Sequence, residues 1–492
     1  MKKKIYPKEW REFHPNNMAD KTDIYYTSVA NDIYTLAYDF NFHKNVFEED
    51  APVRKLALLL TALFEDIISE IGVWKAFTAE CKKRYGVYLP FYELEDYQVG
   101  DINEDDVKFF IWHYIQQTEN REGIIINPEN VGIDLFSLAV YALFRLEYET
   151  APESETYKDY VDNIVFDSSN IYKYRSLLSW FNNHCFINFT NLERLKEAID
   201  EFVEENEDCG PEYIKTMAYG LEIEMLFSGE DKLFGYASHE WLAKVFSNHA
   251  QHKLLEDVKH KSCDTYLFVS EDDSNLYVED LLDGKLYTVT KKSIVNSLKN
   301  NYSPRETILV CSLVYFGGVW WCSGALSFGK YSKSVADKKQ EEKMIAENCQ
   351  LLYDKFMKAT AKKNLKFFEN YSELENFMNS KIVDAIPEEA DVPHEFKDNS
   401  LLVYVTPERG MMIFTHGIHA LKSKLNKSYK KDEACVLAFI ADKYLIDYDI
   451  LCYLIQKGML KDAALTSLHG KRHGKAFLQK NIQFFADYFH NR

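Results

Sequence analysis

The sequence predicts a multidomain α+β protein with a mostly helical amino-terminal half, a small β module in the middle and a helical carboxy-terminal tail domain that carries a β hairpin. Two patterns support this class. Apolar residues recur at helical spacing through most of residues 23–250, and short β-rich runs separated by turn residues fill residues 264–329. The chain has 492 residues, a length that favours about three domains.

The helical prediction depends on a few clear stretches. Residues 53–74 place leucines and isoleucines on one broad apolar face. Asn103 precedes three acidic residues, which is the pattern of a helix start, and the helix is expected to continue through residues 107–117. Further helices are predicted over residues 212–227 and 239–261.

The β module is predicted from five short runs rich in β-branched and aromatic residues. The dipeptide Asp283-Gly284 lies between two of them and is typical of a tight hairpin. Five short strands in about 65 residues favour a small antiparallel barrel or a strongly bent sheet. The predicted strands cover residues 265–270, 275–279, 285–290, 307–316 and 319–328.

Composition changes divide the chain into five predicted parts. Prolines and acidic residues concentrate in residues 381–400, which makes this stretch the best linker candidate. The predicted parts are a helical domain at 1–262, the β module at 263–332, a long helix with a connecting strand and helix at 333–380, the linker at 381–400, and a basic α+β tail domain at 401–492.

The charge is strongly acidic overall and unevenly distributed. The chain carries a formal net charge of −19, whereas residues 411–492 hold 13 Lys or Arg against 7 Asp or Glu. This balance of +6 leaves −25 on the first 410 residues. An acidic body argues against a protein whose whole surface binds nucleic acid or an anionic membrane.

Cysteine usage and hydropathy indicate a cytoplasmic protein without a membrane partner. The nine cysteines are dispersed, and none forms a C-x-x-C pair, which is typical of reduced thiols in the cytosol. The most apolar stretch, residues 56–64, is far shorter than the roughly 20 residues that a membrane span needs.

The basic tail offers a candidate anion or nucleic-acid site. Residues 469–475 form a glycine-containing stretch in which Lys471, Arg472, His473 and Lys475 are expected to reach an anion from a loop. The preceding residues can be drawn as two short helices in the outline of a helix-turn-helix. Phosphate contacts are the expected role of these cations, and a surface loop between packed helices is the alternative.

The β module offers a candidate partner surface at Trp320 and Trp321. Adjacent strand residues point to opposite faces, so one indole is expected inside and one outside. The outward ring is the candidate contact residue, because exposed aromatic residues on small barrels stack bases or grip peptides.

A candidate metal site lies on the predicted helix 239–261. His249, His252 and Glu256 fall on one face of such a helix, and imidazole and carboxylate groups are suitable zinc ligands. His260 continues the face, but about 16 Å of helix separates it from His249, so one ion cannot contact the whole row. A solvated polar face without zinc, or any other cofactor, is the alternative.

Four motifs within residues 4–117 resemble an uncharacterised family from Bacteroidetes, a domain of unknown function. They are residues 5–10 (IYPKEW), 65–74 (EDIISEIGVW), 85–91 (YGVYLPF) and 101–113 (DINEDDVKFFIWH). The resemblance assigns no activity, and it implies a cytosolic bacterial protein that is not a familiar enzyme. Locally, residues 85–91 are expected to pack as an elbow between helices, and His113 is expected in the core.

The absence of a recognisable catalytic pattern favours a non-enzymatic interaction or regulatory protein. In this hypothesis the β module and the tail bind a macromolecular partner, most simply another protein. One alternative is a nucleic-acid-binding protein that uses the basic tail. A second alternative is a metal-dependent hydrolase built on His249 and its neighbours.

Overall fold

The α+β class predicted from the sequence is confirmed by a computed structural model, which describes residues 4–42, 47, 49–92, 97–118, 123–294, 303–382 and 399–490. Residues 383–398, most of the predicted linker, lie outside the described residues. The helices of the amino-terminal half are α1 (Pro7–Trp10), α2 (Asp23–Asp39), α3 (Asp50–Ile68), α4 (Val73–Tyr85), α5 (Glu104–Thr118), α6 (Val131–Glu147), α7 (Glu155–Asp162), α8 (Ile171–His184), α9 (Asn191–Glu205), α10 (Pro211–Ser228), α11 (Ser238–Val245) and α12 (His252–Glu256).

Helix α3 forms the centre of the helical part, because it is apolar on nearly all sides. Its residues from Leu56 to Ile67 are all buried, as expected for a helix that is surrounded by others. It packs against α2, α4 and α5, whose aromatic side chains fill the space around it.

The β module consists of five strands that hydrogen-bond in the closed order β1-β2-β3-β5-β4, with β4 back against β1. Four of the pairings are antiparallel, and the contact of β3 with β5 is a single parallel bridge, Val289 to Trp320. Alternate residues of the strands form a separate apolar cluster inside the ring. The strands are β1 (Lys259–Glu271), β2 (Asn275–Asp280), β3 (Leu286–Thr290), β4 (Thr307–Phe316) and β5 (Val319–Lys330).

The predicted helix over residues 239–261 is wrong. The stretch contains two short helices, α11 and α12, separated by turns, and β1 begins at Lys259. β1 reaches back to Lys259 because it pairs with β4 from Lys259 opposite Tyr315 to Leu267 opposite Ile308, with a bulge between Lys261 and Asp264.

A three-stranded antiparallel sheet and two helices follow the β module. In the sheet, β7 lies between β6 and β8, and its apolar side chains pack with Phe356, Leu374 and Met378 of the two helices. The elements are α13 (Lys333–Ala359), β6 (Leu365–Phe368), α14 (Tyr371–Lys381), β7 (Leu401–Thr406) and β8 (Gly410–Phe414).

The chain ends in α15 (Glu433–Ala441), α16 (Tyr448–Gln456) and α17 (Lys471–His490). The predicted helix-turn-helix is wrong, because Lys457 ends α16 and turns, rather than a second helix, lead to α17. Helix α17 packs into the same apolar cluster as the amino-terminal helices. The two ends of the sequence therefore share one core. Among the described residues, no helix combines the length and apolar character that crossing a membrane requires.

Candidate functional site

The two tryptophans of the β module point to opposite sides, but neither is exposed. Trp321 is only 1% exposed and packs in the helical core, where its indole N–H donates to the Phe316 carbonyl at 3.0 Å. Trp320 is half-buried against the apolar cluster inside the ring, with the Tyr287 ring 5.1 Å away. The predicted outward indole is therefore part of the packing.

Exposed apolar side chains line up on a helix instead. Val131, Leu135, Leu138 and Leu146 are each at least 44% exposed, and their spacing places them along one face of α6. The sequence pattern does not distinguish this face, because the buried residues of α6 are equally apolar and only the packing separates the two sides.

The predicted basic loop is the beginning of helix α17, and three of its four candidate residues are already paired within the chain. Lys471 contacts Glu433 at 2.6 Å, His473 contacts Glu129 at 2.8 Å and Lys475 contacts Asp462 at 3.3 Å. Arg472 is exposed. These ion pairs connect the start of α17 to neighbouring segments.

The candidate metal ligands line a cavity of about 970 Å³ between α4, α11 and α12, here called the histidine cavity. His249 lies before α12 and uses both ring nitrogens: the Gln251 N–H donates to Nδ1 at 3.0 Å, so Nε2–H donates to the Ile164 carbonyl at 2.9 Å. His252 contacts Glu256 at 3.2 Å. His249 therefore has no lone pair left for an ion, and these three residues do not form a metal-ligand group in the described part of the chain.

Glu80, a buried carboxylate of the histidine cavity, is paired with neighbouring polar groups. Glu80 accepts hydrogen bonds from Tyr236 at 2.5 Å and from Lys244 at 3.0 Å. Burial raises the pKa of Glu80. The hydrogen bonds from Tyr236 and Lys244, with the positive charge of Lys244, outweigh this effect, so the pKa lies below its ordinary value. Burial lowers the pKa of His239 to about 4, so its imidazole is neutral near pH 7. The neutral His239 and the paired Glu80 are therefore poor candidates for proton transfer near pH 7.

A second cavity, of about 530 Å³, lies between segments from both ends of the chain and is here called the cationic cavity. Its walls come from the end of α5, from α9, from the loop before α11, from the residues after α15 and from the end of α17. Three cations line it, together with four carboxylates: Arg194, Lys232 and Lys443, and Glu193, Glu197, Glu201 and Asp442.

Lys232 has the most unusual electrostatic environment in the cationic cavity. Burial, then the positive charges of Arg194 and Lys443, lower the pKa of Lys232 to about 8. Within the described chain, no carboxylate oxygen lies at ion-pairing distance from its ammonium group. Burying a charged amine beside two other cations destabilises the folded state, and groups with such shifted pKa values concentrate at binding and catalytic sites.

The backbone around Lys232 is fixed by its neighbour Asp231. The buried Asp231 carboxylate accepts hydrogen bonds from the backbone N–H groups of Leu233, Phe234 and Tyr236 and from the indole N–H of Trp241. Leu233 and Phe234 are fully buried beside it. Lys232 therefore starts from a rigid turn, which limits how far it can move toward solvent.

Arg194 is held in place by neutral acceptors. Its Nη1 donates to the Glu230 carbonyl at 2.7 Å and to the Asn191 amide oxygen at 3.3 Å. Burial lowers the pKa of Arg194, but a guanidinium group remains charged in proteins. The positive charge of Arg194 is thus positioned without being neutralised by these contacts.

The floor of the cationic cavity is neutral and polar. Gln117 donates to the Tyr488 hydroxyl at 2.7 Å, and this hydroxyl lies 2.7 Å from His113 Nδ1. Burial lowers the pKa of His113 to about 3. His113 is therefore neutral near pH 7, and it lies buried behind Tyr488, in agreement with the expectation of a core histidine. Three acidic residues of α9 form the opposite, exposed rim: Glu193, Glu197 and Glu201.

No sequence pattern identifies the cationic cavity, because its residues come from five separated segments. The sequence gives one indirect indication. Lys232 lies between Asp231 and the apolar pair Leu233-Phe234, which is an unusual position for a lysine because lysines are rarely buried.

The motifs within residues 4–117 build the architecture around these cavities. Asp66 accepts the first N–H groups of α4, from Val73 and Trp74, each at 2.9 Å. The Trp74 indole N–H then donates to Asp106 at 2.8 Å. The elbow expected over residues 85–91 is present: the Phe91 ring packs on rings of α17.

The family model described as "Protein of unknown function (DUF3843)" matches residues 4–292 and 324–491. The match includes every residue of the cationic cavity named above and passes over residues 293–323, which contain β4. Comparison of the chain with curated proteins and with solved structures finds no match. The chain belongs to the DUF3843 family of proteins of unknown function.

Proposed function

We propose that the protein is a non-enzymatic binding protein that takes up a small anion, bearing carboxylate or phosphate groups, in the cationic cavity. The observation that carries this proposal is the position of the Lys232 ammonium group, which is largely buried beside Arg194 and lacks a carboxylate partner within the described chain. An anion would supply the missing negative charge. The volume, about 530 Å³, is typical of a small-molecule site.

The residues that line the cationic cavity are better suited to binding an anion than to catalysing a reaction. The floor consists of the neutral Gln117 amide and the Tyr488 hydroxyl, neither of which exchanges protons readily near pH 7. The acidic rim on α9 would repel highly charged polyanions and would favour a compact ligand that reaches the two inner cations. A ligand bound here would contact both ends of the chain, so its uptake would stabilise their association.

Calorimetric titration of the purified protein with inorganic phosphate and with succinate tests the proposal and separates the two ligand classes. We expect one of the two anions to bind, and Lys232→Met to weaken that binding by about 10- to 100-fold, as the loss of one charged hydrogen bond predicts. Lys196→Met is the matched control, because this exposed lysine lies on α9 beside Arg194 and should leave the affinity unchanged. Binding of neither anion, or equal binding by Lys232→Met and the unmodified protein, would refute the proposal.

Anion affinity should also depend on pH. Because Lys232 has a pKa of about 8, it is charged below that pH and loses its charge above it. We expect the affinity to fall between pH 7 and pH 9 in the unmodified protein and to change less in Lys232→Met. Parallel curves for the two proteins would exclude Lys232 as the responsible group.

The same substitution should stabilise the protein without ligand. The unfolded chain holds the lysine proton up to about pH 10.4, whereas the folded state releases it near pH 8, so the charged form is penalised in the folded state at neutral pH. Lys232→Met should therefore raise the free energy of unfolding by on the order of 2 kcal/mol at pH 7, with the gain disappearing above about pH 10. Denaturant unfolding at several pH values measures it; a loss of stability at pH 7 would contradict the buried-charge explanation.

The partner hypotheses from the sequence remain predictions. The exposed apolar face of α6, rather than the buried Trp321, is the surface that supports a protein partner. The ion pairs of Lys471, His473 and Lys475 leave less free positive charge for nucleic acid than a basic loop would have.

A further inference from the structure

We propose that His419, Asp432 and Cys435 form a zinc-binding site at the start of helix α15. This group lies apart from the histidine row predicted from the sequence. One ligand atom from each residue, an imidazole nitrogen, a carboxylate oxygen and the thiol sulfur, lies within 4.8 Å of the other two.

Two of the three distances between the ligand atoms are close to those of a zinc site. His419 Nε2 lies 3.3 Å from Asp432 Oδ2, and Cys435 Sγ lies 3.2 Å from the same oxygen. In a tetrahedral site with ordinary zinc–ligand bond lengths, nitrogen and oxygen ligands are about 3.4 Å apart and sulfur and oxygen ligands about 3.6 Å apart. The imidazole nitrogen and the thiol sulfur lie within 4.8 Å of each other, against about 3.6 Å in a tetrahedral site. Side-chain rotations that shift these atoms by up to about 1 Å would therefore place all three around one ion.

The choice of donors favours zinc over magnesium or calcium. Thiolate sulfur and imidazole nitrogen suit zinc, whereas the lighter ions take oxygen ligands almost exclusively. Three protein ligands leave one tetrahedral position open for water or another molecule. The side chains of His419 and Asp432 are 38% and 36% exposed, so an ion can reach them from solvent.

The surrounding backbone holds the three residues in position. Asp432 caps α15 by accepting the Cys435 N–H at 3.1 Å through Oδ1, which leaves Oδ2 directed at the other two ligands. The His419 carbonyl accepts the Lys430 N–H at 2.8 Å. The Asn426 side-chain amide donates to the carbonyls of Ile418 and Leu421. The loop between His419 and Asp432 is therefore closed by hydrogen bonds before any ion binds.

Gly417 allows this loop to approach α15 closely. It has a φ of +66°, and a β-carbon at this position would lie 2.9 Å from the Phe439 ring and 3.6 Å from Cys435 Cβ. Only glycine combines this backbone conformation with so short an approach. The loop that carries His419 is thereby kept against the first turn of α15, where Cys435 lies.

Cobalt and zinc titrations of the chelator-treated full chain test the site. We expect about one cobalt ion per chain with a sulfur-to-cobalt charge-transfer band, and zinc should displace the cobalt. Cys435→Ser should abolish the band, and both Cys435→Ser and His419→Ala should weaken zinc binding by about 100-fold or more. His416→Ala and Cys452→Ser are matched controls from outside the group, and both should bind as the unmodified protein does.

Two measurements keep the outcome clear. Circular dichroism of each variant without metal establishes that it is folded, and zinc should raise the unfolding temperature of the unmodified protein but not that of folded Cys435→Ser. Cobalt binding without a sulfur band, or zinc affinity unchanged in folded Cys435→Ser, would overturn the proposal and leave the three residues as a helix cap with two hydrogen-bonded neighbours.

Discussion

Gly474→Ala is expected to destabilise the protein by at least about 3 kcal/mol, although a glycine-to-alanine change inside a helix ordinarily stabilises by about 1 kcal/mol. Gly474 lies in the first turn of α17, where a β-carbon would be only 2.0 Å from the Leu465 carbonyl oxygen and 3.1 Å from its carbon. Backbone atoms cannot rotate away as the end of a side chain can. The start of α17 would have to separate from residues 465–467.

The consequence extends along the whole of α17, because this helix carries Phe477, Phe484, Phe485 and Tyr488 into the core shared with the amino-terminal helices. Denaturant and thermal unfolding measure the loss. Ala476→Gly is the control on an exposed position of the same helix, and it should cost only about 1 kcal/mol. A Gly474→Ala protein as stable as the unmodified one would show that α17 does not contact residue 465 as described.

This glycine also explains why the sequence misidentified the basic stretch. Two glycines among cations are typical of a loop, and basic residues oppose the dipole at a helix start, so local rules favour a loop over residues 469–475. Tertiary contacts make this stretch helical in spite of the local preference for a loop. Gly474 packs closely against the Leu465 carbonyl, and Glu433, Glu129 and Asp462 form ion pairs with the cations. None of these partners is near in sequence.

The β strands were predicted well where alternation is a local property. Each of the five predicted strands overlaps an observed strand, and Asp283-Gly284 lies between the paired strands β2 and β3, as expected. By contrast, the helix predicted over residues 239–261, on which His249, His252 and Glu256 were placed, is replaced by two short helices, intervening turns and the start of β1. Apolar residues at helical spacing do not show where turns interrupt a helix.

The two proposed sites could not be predicted from sequence for the same physical reason. Lys232 is unusual only because other segments of the chain bury it. His419 lies near Cys435 only because hydrogen bonds hold the chain between His419 and Asp432 in a closed loop. Both depend on contacts between residues that sequence rules treat separately. The family motifs reveal neither site, since Asp66, Trp74 and Asp106 maintain helix packing.

Glu65→Leu is expected to destabilise the protein by about 3 to 5 kcal/mol, the range found when one partner of a buried ion pair is removed. The side chains of Glu65 and His14 are 2% and 0% exposed, and Glu65 Oε2 lies 2.8 Å from His14 Nε2. The other carboxylate oxygen accepts the Ser154 hydroxyl. Leucine fills a similar volume but leaves His14 without its counter-charge and Ser154 without this acceptor.

The effect should be largest at low pH. Burial alone would lower the pKa of His14, but the charge of Glu65 and its hydrogen bond raise the pKa above the ordinary value. The pair therefore contributes its full stability below about pH 6.5, where the unfolded histidine is also protonated, and the contribution is lost as the pH rises through the folded pKa. Comparing variant and unmodified protein at each pH cancels titrating groups that do not feel the Glu65 charge. Asp66 is not among them, because burial and, to a smaller extent, the Glu65 charge raise its pKa to about 7.

Unfolding free energies of both proteins between pH 5.5 and pH 9 measure this difference. Glu155→Gln is the matched control, because its partner Lys21 is 3.7 Å away and the two side chains are 77% and 92% exposed, so its loss should change stability by no more than about 0.5 kcal/mol. A difference for Glu65→Leu that stays constant with pH would mean that His14 is neutral in the folded protein and that the cost comes from Ser154 and packing alone. A difference as small as that of the surface pair would show that Glu65 is not buried against His14.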